Sequence, residues 1–479
     1  MKDPHKTNRA LSRQQKRAIP FFPVLALLTV VAFILPLRPS TSMAEKRTLT
    51  AFPEFSAESF WDGSYFDQIG IWFSDTFPGR ESYIRVAQDL EAAQGLNRNV
   101  VVIKEDQNAD NDRLDELLAE AEASPAVAQT PAPTPAASPE PEPALVPETA
   151  EEAAPQEESS PTPEPTPDAW EEVEHWDGLD AEDEMLREGT LIALGDMVFT
   201  AQGFSQDDTD SYAAICNEFC RELSEEGIRF FNLPVPTAVG VLVASDFLPQ
   251  IKCADQSKML RYLFSREDEA IYKVNVFNNL LAHKDEYIYY RGDHHWTALG
   301  AYYAYEVFCG EAGFTPVPLS EYEEVNMGLF QGTLFWRAGA RDIWEDELIA
   351  YVPPGEVTMD IVTYPSLKDP VQDRSQKDPS SKYNVFIAGD NDTTVLTNPA
   401  LPEDSCCIIV KDSFGNPFTI YLAQHYRRVV ILDYRHADQT ILQYVKAYQP
   451  QDVILLNSIG LTQRPGSQSI LTTFLKDPW

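Results

Sequence analysis

Short apolar runs alternate with amphipathic segments near the C-terminal end of the chain. The runs at 406–411, 428–432 and 453–456 are rich in β-branched residues and are predicted to be strands. Segments 417–425 and 439–448, which lie between them, have the spacing of helices. This β-α-β-α-β pattern with short connections predicts an α/β fold in which a parallel sheet is flanked by helices.

Polar groups follow each of these three predicted strands. They are Asp412 with Ser413, the segment 433–435, and Asn457. In an open parallel sheet, ligands bind beyond the carboxyl ends of the strands. We therefore expect these groups to converge on one crevice.

Weaker patterns precede this region. Strands are predicted at 190–199 and 228–234 on either side of a helix at 210–225, and a single long helix is predicted at 257–281. Nearer the N-terminus, segment 60–87 has the pattern of an amphipathic helix. All of these elements are compatible with the α/β class.

The N-terminal segment has the pattern of a membrane anchor. Residues 1–17 carry six basic residues and one acid, and residues 18–37 contain no charge. Twenty uncharged, mostly apolar residues can cross about 30 Å of hydrocarbon as a helix, with the basic tail in the cytoplasm. A signal peptide cleaved before Glu45 fits the same segment. In both cases the rest of the chain is predicted to be extracellular, either anchored to the cell membrane or secreted.

Residues 114–171 have the composition of a disordered, acidic, proline-rich linker. Thirteen of the 36 prolines lie between 125 and 167, and no lysine or arginine occurs from Leu114 to Leu186. Such a segment buries too little apolar surface to offset its chain entropy. It separates residues 45–113 from a domain predicted at 172–479, either as a tether or as an insertion within one fold.

Charge and cysteine usage narrow the classes of function. With 37 Lys and Arg against 75 Asp and Glu, the net charge is −38, which argues against binding to the phosphates of a nucleic acid. Six cysteines are few for this length, so the fold does not depend on a disulfide framework, although an exported chain permits some disulfides. Cys216 and Cys220 have helical spacing but no second ligand pair nearby, which argues against a zinc site.

Two of the seven histidines are adjacent in the Asp-His-His-Trp motif at 293–296. In an extended run, residues two apart share a side, so Asp293 and His295 are expected to face one crevice while His294 points elsewhere. A carboxylate beside a histidine fixes its tautomer and stabilises the imidazolium, as a base that activates serine requires. The same residues are also compatible with structural histidines or with a metal site that includes Asp293.

Ser413 is the matching nucleophile candidate, because it follows a buried type of strand and precedes a helix. A serine on such a tight turn exposes its hydroxyl near free backbone N–H groups. The region of Gly415 and Asn416 could supply these oxyanion donors, and Arg435 and Asn457 are side-chain candidates. The same spacing is also typical of a simple helix N-cap.

These motifs resemble the DHHW protein family of Gram-positive bacteria, which is named after the signature at 293–296. That family is itself similar to the alginate O-acetyltransferase proteins AlgJ and AlgX, which have an SGNH-hydrolase-like fold. In those proteins an Asp-x-His-Trp motif precedes the nucleophilic serine, as it does here. The segments that carry the resemblance are 45–49, 75–80, 290–305, 411–418 and 432–435.

The resemblance implies that Asp293 is the orienting acid, His295 the base and Ser413 the nucleophile. The block at 412–414 resembles the Gly-Asp-Ser-Leu block of SGNH enzymes, with Lys411 in place of the glycine. The oxyanion donors are not fixed by the resemblance. Their candidates are Asn391 within Gly389-Asp390-Asn391, and Asn457.

The implied activity is that of an O-acyltransferase or O-acyl esterase acting on a cell-wall or surface glycan, without a metal or organic cofactor. A membrane protein that delivers the acyl group is an implied partner. The alternative is a non-catalytic wall protein that binds a glycan or a partner through the same crevice. Trp296, Tyr434 and Arg435 would then contact the sugar, and His294 and Asn416 are further substrate-contact candidates.

Overall fold

The chain forms two compact units, residues 1–98 and 99–479. The computed structural model describes residues 41–42, 47–48, 52, 65, 72, 76, 111–123, 168–180, 185–188, 190–338, 346–362 and 378–475. In the first unit, β1 (Thr41–Ser42) pairs antiparallel with β2 (Arg47–Thr48).

Two predictions for the N-terminal part fall mostly outside this description. The predicted anchor at 18–37 lies outside the described residues, and so does the predicted helix at 60–87 apart from single positions, of which Tyr65 and Trp72 are helical. Within the described ranges, no helix has the length and apolarity needed to cross a bilayer.

The second unit is a mixed α/β fold. Its strands are β3 (Met185–Glu188), β4 (Leu191–Leu194), β5 (Met197–Thr200), β6 (Arg229–Val235), β7 (Tyr272–Lys273), β8 (Glu323–Phe330), β9 (Asp346–Val352), β10 (Thr358–Ile361), β11 (Thr393–Thr397), β12 (Cys406–Lys411), β13 (Arg428–Asp433) and β14 (Asp452–Ser458). Its helices are α1 (Asn111–Ala123), α2 (Gln206–Glu225), α3 (Ala238–Leu242), α4 (Gln256–Arg266), α5 (Phe277–Ala282), α6 (Ala298–Ala312), α7 (Thr333–Arg337), α8 (Gly415–Leu422), α9 (Ile441–Tyr448) and α10 (Pro465–Leu475).

Seven strands form the central sheet in the order β10-β11-β13-β12-β14-β6-β7. Strands β13, β12, β14, β6 and β7 are parallel, so the predicted β-α-β-α-β unit is confirmed. The wholly parallel sheet predicted from the sequence is corrected at one edge, where β11 runs antiparallel to β13 and β10 antiparallel to β11. An antiparallel edge on an otherwise parallel sheet is common in α/β folds.

Strand β12 is the centre of the core. All six of its residues are buried, because β13 and β14 flank it in the sheet and helices cover the sheet. Its last residue, Lys411, is opposite Asp433 on one neighbour and Leu456 on the other. The carboxyl ends of these strands therefore lie side by side, as expected.

The predicted helix at 257–281 is three elements: α4, β7 and α5. The chain leaves the helix at Glu267, which has an extended backbone and whose carboxylate accepts a hydrogen bond from Asn232 on β6. Strand β7 then pairs with β6 beside Asn232. A tertiary contact with the sheet thus overrides the local helical pattern.

The predicted linker at 114–171 begins too early. Residues 114–123 belong to α1, because Leu114, Leu117 and Leu118 have helical spacing and are buried. The helix packs on α4, where the Lys258 ammonium lies 2.5 Å from the Asp115 carboxylate. Residues 124–167 lie outside the described residues, so the linker remains a prediction there.

The described part of the second unit also contains two smaller sheets. Strands β3, β4 and β5 form an antiparallel meander, and β8 and β9 form a two-stranded ribbon. All six cysteines are buried and none is part of a disulfide, so none of the disulfides that the sequence permits is present.

Candidate active site

Ser413 lies in the turn between β12 and α8 and is half-buried. The Asp412 carboxylate fixes this turn, because Oδ1 accepts a hydrogen bond from Phe414 N at 2.9 Å and Oδ2 accepts one from Ser458 N at 2.9 Å. Gly415 begins α8 close to the strand, and a Cβ there would lie 2.7 Å from Lys411 Cβ. The turn therefore requires glycine for a close approach of helix and strand.

The side chains of Ser413, His295 and Asp293 form one hydrogen-bonded chain. The Nε2 atom of His295 lies 2.7 Å from Ser413 Oγ, and its Nδ1 atom lies 2.5 Å from Asp293 Oδ1. Asp293 and His295 are almost fully buried. An ionised carboxylate can only accept a hydrogen bond, so Nδ1 carries the proton and Nε2 of the neutral ring is free to accept from the serine hydroxyl.

The segment between β8 and β9 supports the orienting acid. The second oxygen of Asp293, Oδ2, accepts a hydrogen bond from Thr333 N at 2.7 Å. Gly332 lies directly against this carboxylate, and a Cβ at that position would overlap it. Neither residue can be recognised from the sequence, because Thr333 contributes a backbone N–H and Gly332 the absence of a side chain.

The loop that precedes Asp293 is held by Asp346, the first residue of β9. Its buried carboxylate accepts hydrogen bonds from Arg291 N at 2.8 Å, Gly292 N at 2.7 Å and Tyr287 Oη at 2.5 Å. Burial raises the pKa of Asp346, and the three donors oppose that shift. The acid–base loop, residues 291–295, is thus fixed by the β8–β9 ribbon.

Tyr383 contacts both the base and the nucleophile. Its ring stacks on the His295 ring with centroids 4.1 Å apart and planes 12° apart. Its hydroxyl donates to the carbonyl oxygen of Ser413 at 3.1 Å. Nothing in the sequence around Tyr383 distinguishes it from the other tyrosines, so this role is visible only in the structure.

His294 and Trp296 occupy different environments from one another. The His294 side chain is 40% exposed, and its ring centroid lies 3.8 Å from that of His295, so it stays next to the base. Trp296 is fully buried, and its Nε1 donates to Phe414 O at 2.9 Å. Trp296 therefore joins the two halves of the site by packing. The sugar contact expected of Trp296 in the non-catalytic alternative is wrong, because the ring is buried.

The backbone N–H groups after Ser413 differ from the expectation that they are free. Phe414 N donates to Asp412 Oδ1, Gly415 N to Asp412 O at 3.0 Å, and Asn416 N to Ser413 O at 3.3 Å. The N–H of Ser413 itself donates to no acceptor in the described part of the chain. It is the backbone donor that remains available at this turn.

Arg435 is part of an ion network in which Lys411 and Asp433 are buried and Arg435 and Asp390 are partly exposed. Its guanidinium donates to Asp433 Oδ1 at 2.8 Å and to Asp390 Oδ2 at 2.9 Å. The Lys411 ammonium, fully buried, lies 3.0 Å from Asp390 and 3.2 Å from Asp433. Burial would raise the pKa of Asp390, but Lys411 and Arg435 hold it well below its ordinary value. Arg435 thus already pairs with two carboxylates, and its role as an oxyanion or sugar contact stays a prediction.

The remaining candidates are also placed. Asn416 donates from Nδ2 to Asp390 at 3.0 Å, and Asn391 donates locally to Ile387 O at 3.2 Å. Tyr434 is buried, which excludes it as an exposed platform for a sugar ring. Asn457 is buried at the end of β14, and neither atom of its amide has a hydrogen-bond partner among the described residues.

A cavity of about 190 Å³ adjoins the hydrogen-bonded chain. Asp293, His294 and Phe414 lie in its wall, so it borders Ser413 and His295 without being lined by them. Ligand pockets for drug-sized molecules are usually about 300–1,000 Å³. This cavity therefore has room for part of a larger ligand.

Asp293, His294 and His295 also form the one cluster of potential metal ligands in the described ranges, with ligand atoms within 4.8 Å of each other. Both ring nitrogens of His295 already bond to Asp293 and Ser413. A metal bound by His295 would have to replace one of these hydrogen bonds. The donor set is thus better suited to proton transfer than to metal binding.

Several solved structures are similar to this chain. The structure is similar to that of a DHHW family protein from Eubacterium siraeum, with 22% identity over 61% of this chain and 99% of the other, and a TM-score of 0.56. Bacillus cereus PatB1, in a structure with a sulfonyl adduct, is 17% identical over 61% of this chain and all of the other, with a TM-score of 0.47. The O-acetyltransferase domain of Pseudomonas putida AlgJ is 12% identical over 58% of this chain and 96% of the other, with a TM-score of 0.36. No curated protein matches the sequence.

The sequence model of the DHHW proteins matches residues 45–122 and 181–432. The match covers well over half of the chain and includes the Asp-His-His-Trp motif and the Ser413 turn. The chain belongs to the DHHW protein family.

Proposed function

We propose that this protein is a serine-dependent O-acyltransferase or O-acyl esterase that acts on a cell-surface polysaccharide. The observation that carries the proposal is the hydrogen-bonded chain of three side chains, with 2.7 Å between Ser413 Oγ and His295 Nε2 and 2.5 Å between His295 Nδ1 and Asp293 Oδ1. A nucleophile, a base and an orienter within hydrogen-bond reach are the requirements for covalent acyl transfer.

In the proposed reaction, Ser413 Oγ attacks the carbonyl carbon of an acyl ester while His295 Nε2 takes the hydroxyl proton. The tetrahedral intermediate collapses, the C–O bond to the donor breaks, and His295 returns the proton to the leaving oxygen. A sugar hydroxyl or water then attacks the acyl-serine by the reverse sequence and frees Ser413. The N–H of Ser413 would donate to the oxyanion.

The assignment of a polysaccharide as acceptor and of acetyl as the acyl group rests on the resemblance of the motifs at 293–296 and 412–414 to those of AlgJ and AlgX. An SGNH-like assignment of the fold rests on the same motifs. Attachment to the membrane through residues 18–37, an extracellular site and a membrane partner that delivers the acyl group are parts of the same proposal, because the uncharged segment predicts export.

The non-catalytic alternative has less support. It requires Trp296, Tyr434 and Arg435 as sugar contacts, and these side chains are buried or committed to carboxylates. A purely structural role would also leave no reason for a buried acid–base pair to reach a half-buried serine hydroxyl.

A serine-reactive sulfonyl fluoride tests the nucleophile. We expect intact-mass spectrometry to show one sulfonyl group on the parent protein and none on Ser413→Ala. The matched control is Ser458→Ala, which removes another half-buried hydroxyl near the same turn and should still be labelled. Labelling that persists in Ser413→Ala would exclude Ser413 as the nucleophile.

A further inference from the structure

Two arginine side chains in the wall of the 190 Å³ cavity make no ion pair or hydrogen bond with the residues that the structure describes. Arg337 is the last residue of α7, and Arg464 directly precedes α10. Both are exposed. Among the lysine and arginine side chains that the structure describes, these two, Lys252 and Lys446 alone make neither an ion pair nor a hydrogen bond.

Most lysine and arginine side chains in the described ranges are paired, as expected in a chain where acidic residues outnumber basic ones by 75 to 37. Elsewhere in the described chain, arginines are commonly paired with a carboxylate, as Arg229 is with Asp452 and Arg291 with Asp196. Two guanidinium groups that face one cavity without such a partner leave a local positive potential on an otherwise anionic molecule.

Among the described residues of the cavity wall, no carboxylate pairs with these arginines. Asp293 is the one acidic residue among the lining residues, and its two oxygens accept from His295 and Thr333. Neutral polar groups complete the wall, including Thr200, Gln202 and Ser458. The cavity therefore combines two positive charges with hydroxyl and amide groups that suit a carbohydrate.

We propose that this cavity binds an anionic group of the acyl-acceptor glycan, a carboxylate or a phosphate, through Arg337 and Arg464. The inference rests on the proposed function and names its substrate class. Guanidinium groups match carboxylate and phosphate oxygens in a bidentate geometry, which a neutral sugar does not offer. Because the cavity borders Ser413 through Phe414, an anionic sugar held there would place a neighbouring sugar hydroxyl near the nucleophile.

The test is a binding titration of the full-length Ser413→Ala protein, in which turnover is removed. Three probes are compared by calorimetry at low salt: tetragalacturonate for carboxylates, a glycerol-phosphate oligomer for phosphates, and maltotetraose as the neutral sugar. We expect one of the two anionic probes to bind at least about tenfold more tightly than maltotetraose, and 0.5 M NaCl to reduce that preference.

The double substitution Arg337→Gln, Arg464→Gln should abolish the preference. Its matched control is Lys252→Gln, Lys446→Gln, which removes the same charge from the two unpaired cations outside the cavity and should leave binding unchanged. Equal binding of anionic and neutral probes, or an equal loss in the control, would overturn the proposal. Sulfonyl labelling of Ser413 with the arginines substituted should be unaffected, so failure here is distinguishable from failure of the proposed function.

Discussion

His295 and Ser413 are 118 positions apart in the chain, yet His295 Nε2 lies 2.7 Å from Ser413 Oγ. The two residues come from different elements. His295 belongs to the loop before α6, and Ser413 to the turn between β12 and α8. Trp296 joins the elements by donating to Phe414 O, so the contact is built into the packing of the two segments.

If His295 is the base, its replacement should slow the reaction of Ser413 far more than replacement of His294. We expect His295→Gln to reduce the rate of sulfonyl labelling by about 10²–10⁴, the usual contribution of general base catalysis. His294→Gln should have a much smaller effect, because the His294 ring does not bond to Ser413. The rates can be measured by time-resolved intact-mass spectrometry, and equal rates for the two variants would contradict the assignment.

Gly332→Ala should reduce the reactivity of Ser413 although Asp293, His295 and Ser413 are themselves not substituted. The added methyl group would overlap the Asp293 carboxylate, so Asp293 must move away from His295 or from Thr333 N. We expect the labelling rate to fall at least about tenfold, and stability to fall by about 1–3 kcal/mol as is usual for overpacking.

The control for this substitution is Gly310→Ala. Gly310 is exposed on α6, and a Cβ there would meet nothing within 4 Å. Alanine in a helix should stabilise the protein by about 0.5–1 kcal/mol and leave labelling unchanged. A labelling rate for Gly332→Ala equal to that for Gly310→Ala would show that the position of Asp293 is unimportant.

Glu267 should make stability depend on pH. Its buried carboxyl has a pKa raised to about 8 by desolvation, which the hydrogen bond from Asn232 and the charge of Lys273 only partly oppose. Between about pH 4.5 and 8, the folded protein therefore holds a proton on Glu267 that the unfolded chain has lost. The free energy of unfolding should consequently decrease as pH rises through this window, by up to ~1.4 kcal/mol per pH unit, and level off above it.

Urea denaturation of the parent and of Glu267→Gln at pH 5, 6.5 and 8 measures this contribution. The glutamine cannot ionise, so its stability relative to the parent should increase with pH. A difference between the two proteins that stays constant across the three pH values would show that Glu267 titrates normally.

The sequence predicts the parallel centre of the sheet because periodic apolar runs, such as Cys406–Lys411, carry their own signal. The sequence also predicts that Asp293, His295 and Ser413 lie close together, and the structure places them within hydrogen-bond distance of one another. Their catalytic roles remain predictions. The antiparallel strands β10 and β11 are four and five residues long and carry little signal of their own.

The supports of the site could not be predicted, because they act through groups that a sequence pattern does not display. Thr333 contributes its backbone N–H, Gly332 its lack of a side chain, and Tyr383 a stacking contact set by tertiary packing. Arg435 is the opposite case. The sequence places it where a ligand contact is expected, but in the structure its guanidinium donates to the carboxylates of Asp390 and Asp433.

Asp346 and Thr333 hold the acid–base loop from the region of the β8–β9 ribbon, whereas Ser413 depends on the central sheet and α8. The two halves of the constellation are thus supported mainly by different elements, and Trp296 and Tyr383 join them. Substitutions in the described segments around Thr333 and Asp346 can change the orientation of His295 while the hydrogen bonds to Asp412 keep the serine turn in place. Divergence of those segments is accordingly a route by which related chains could acquire different reactivities on one unchanged sheet.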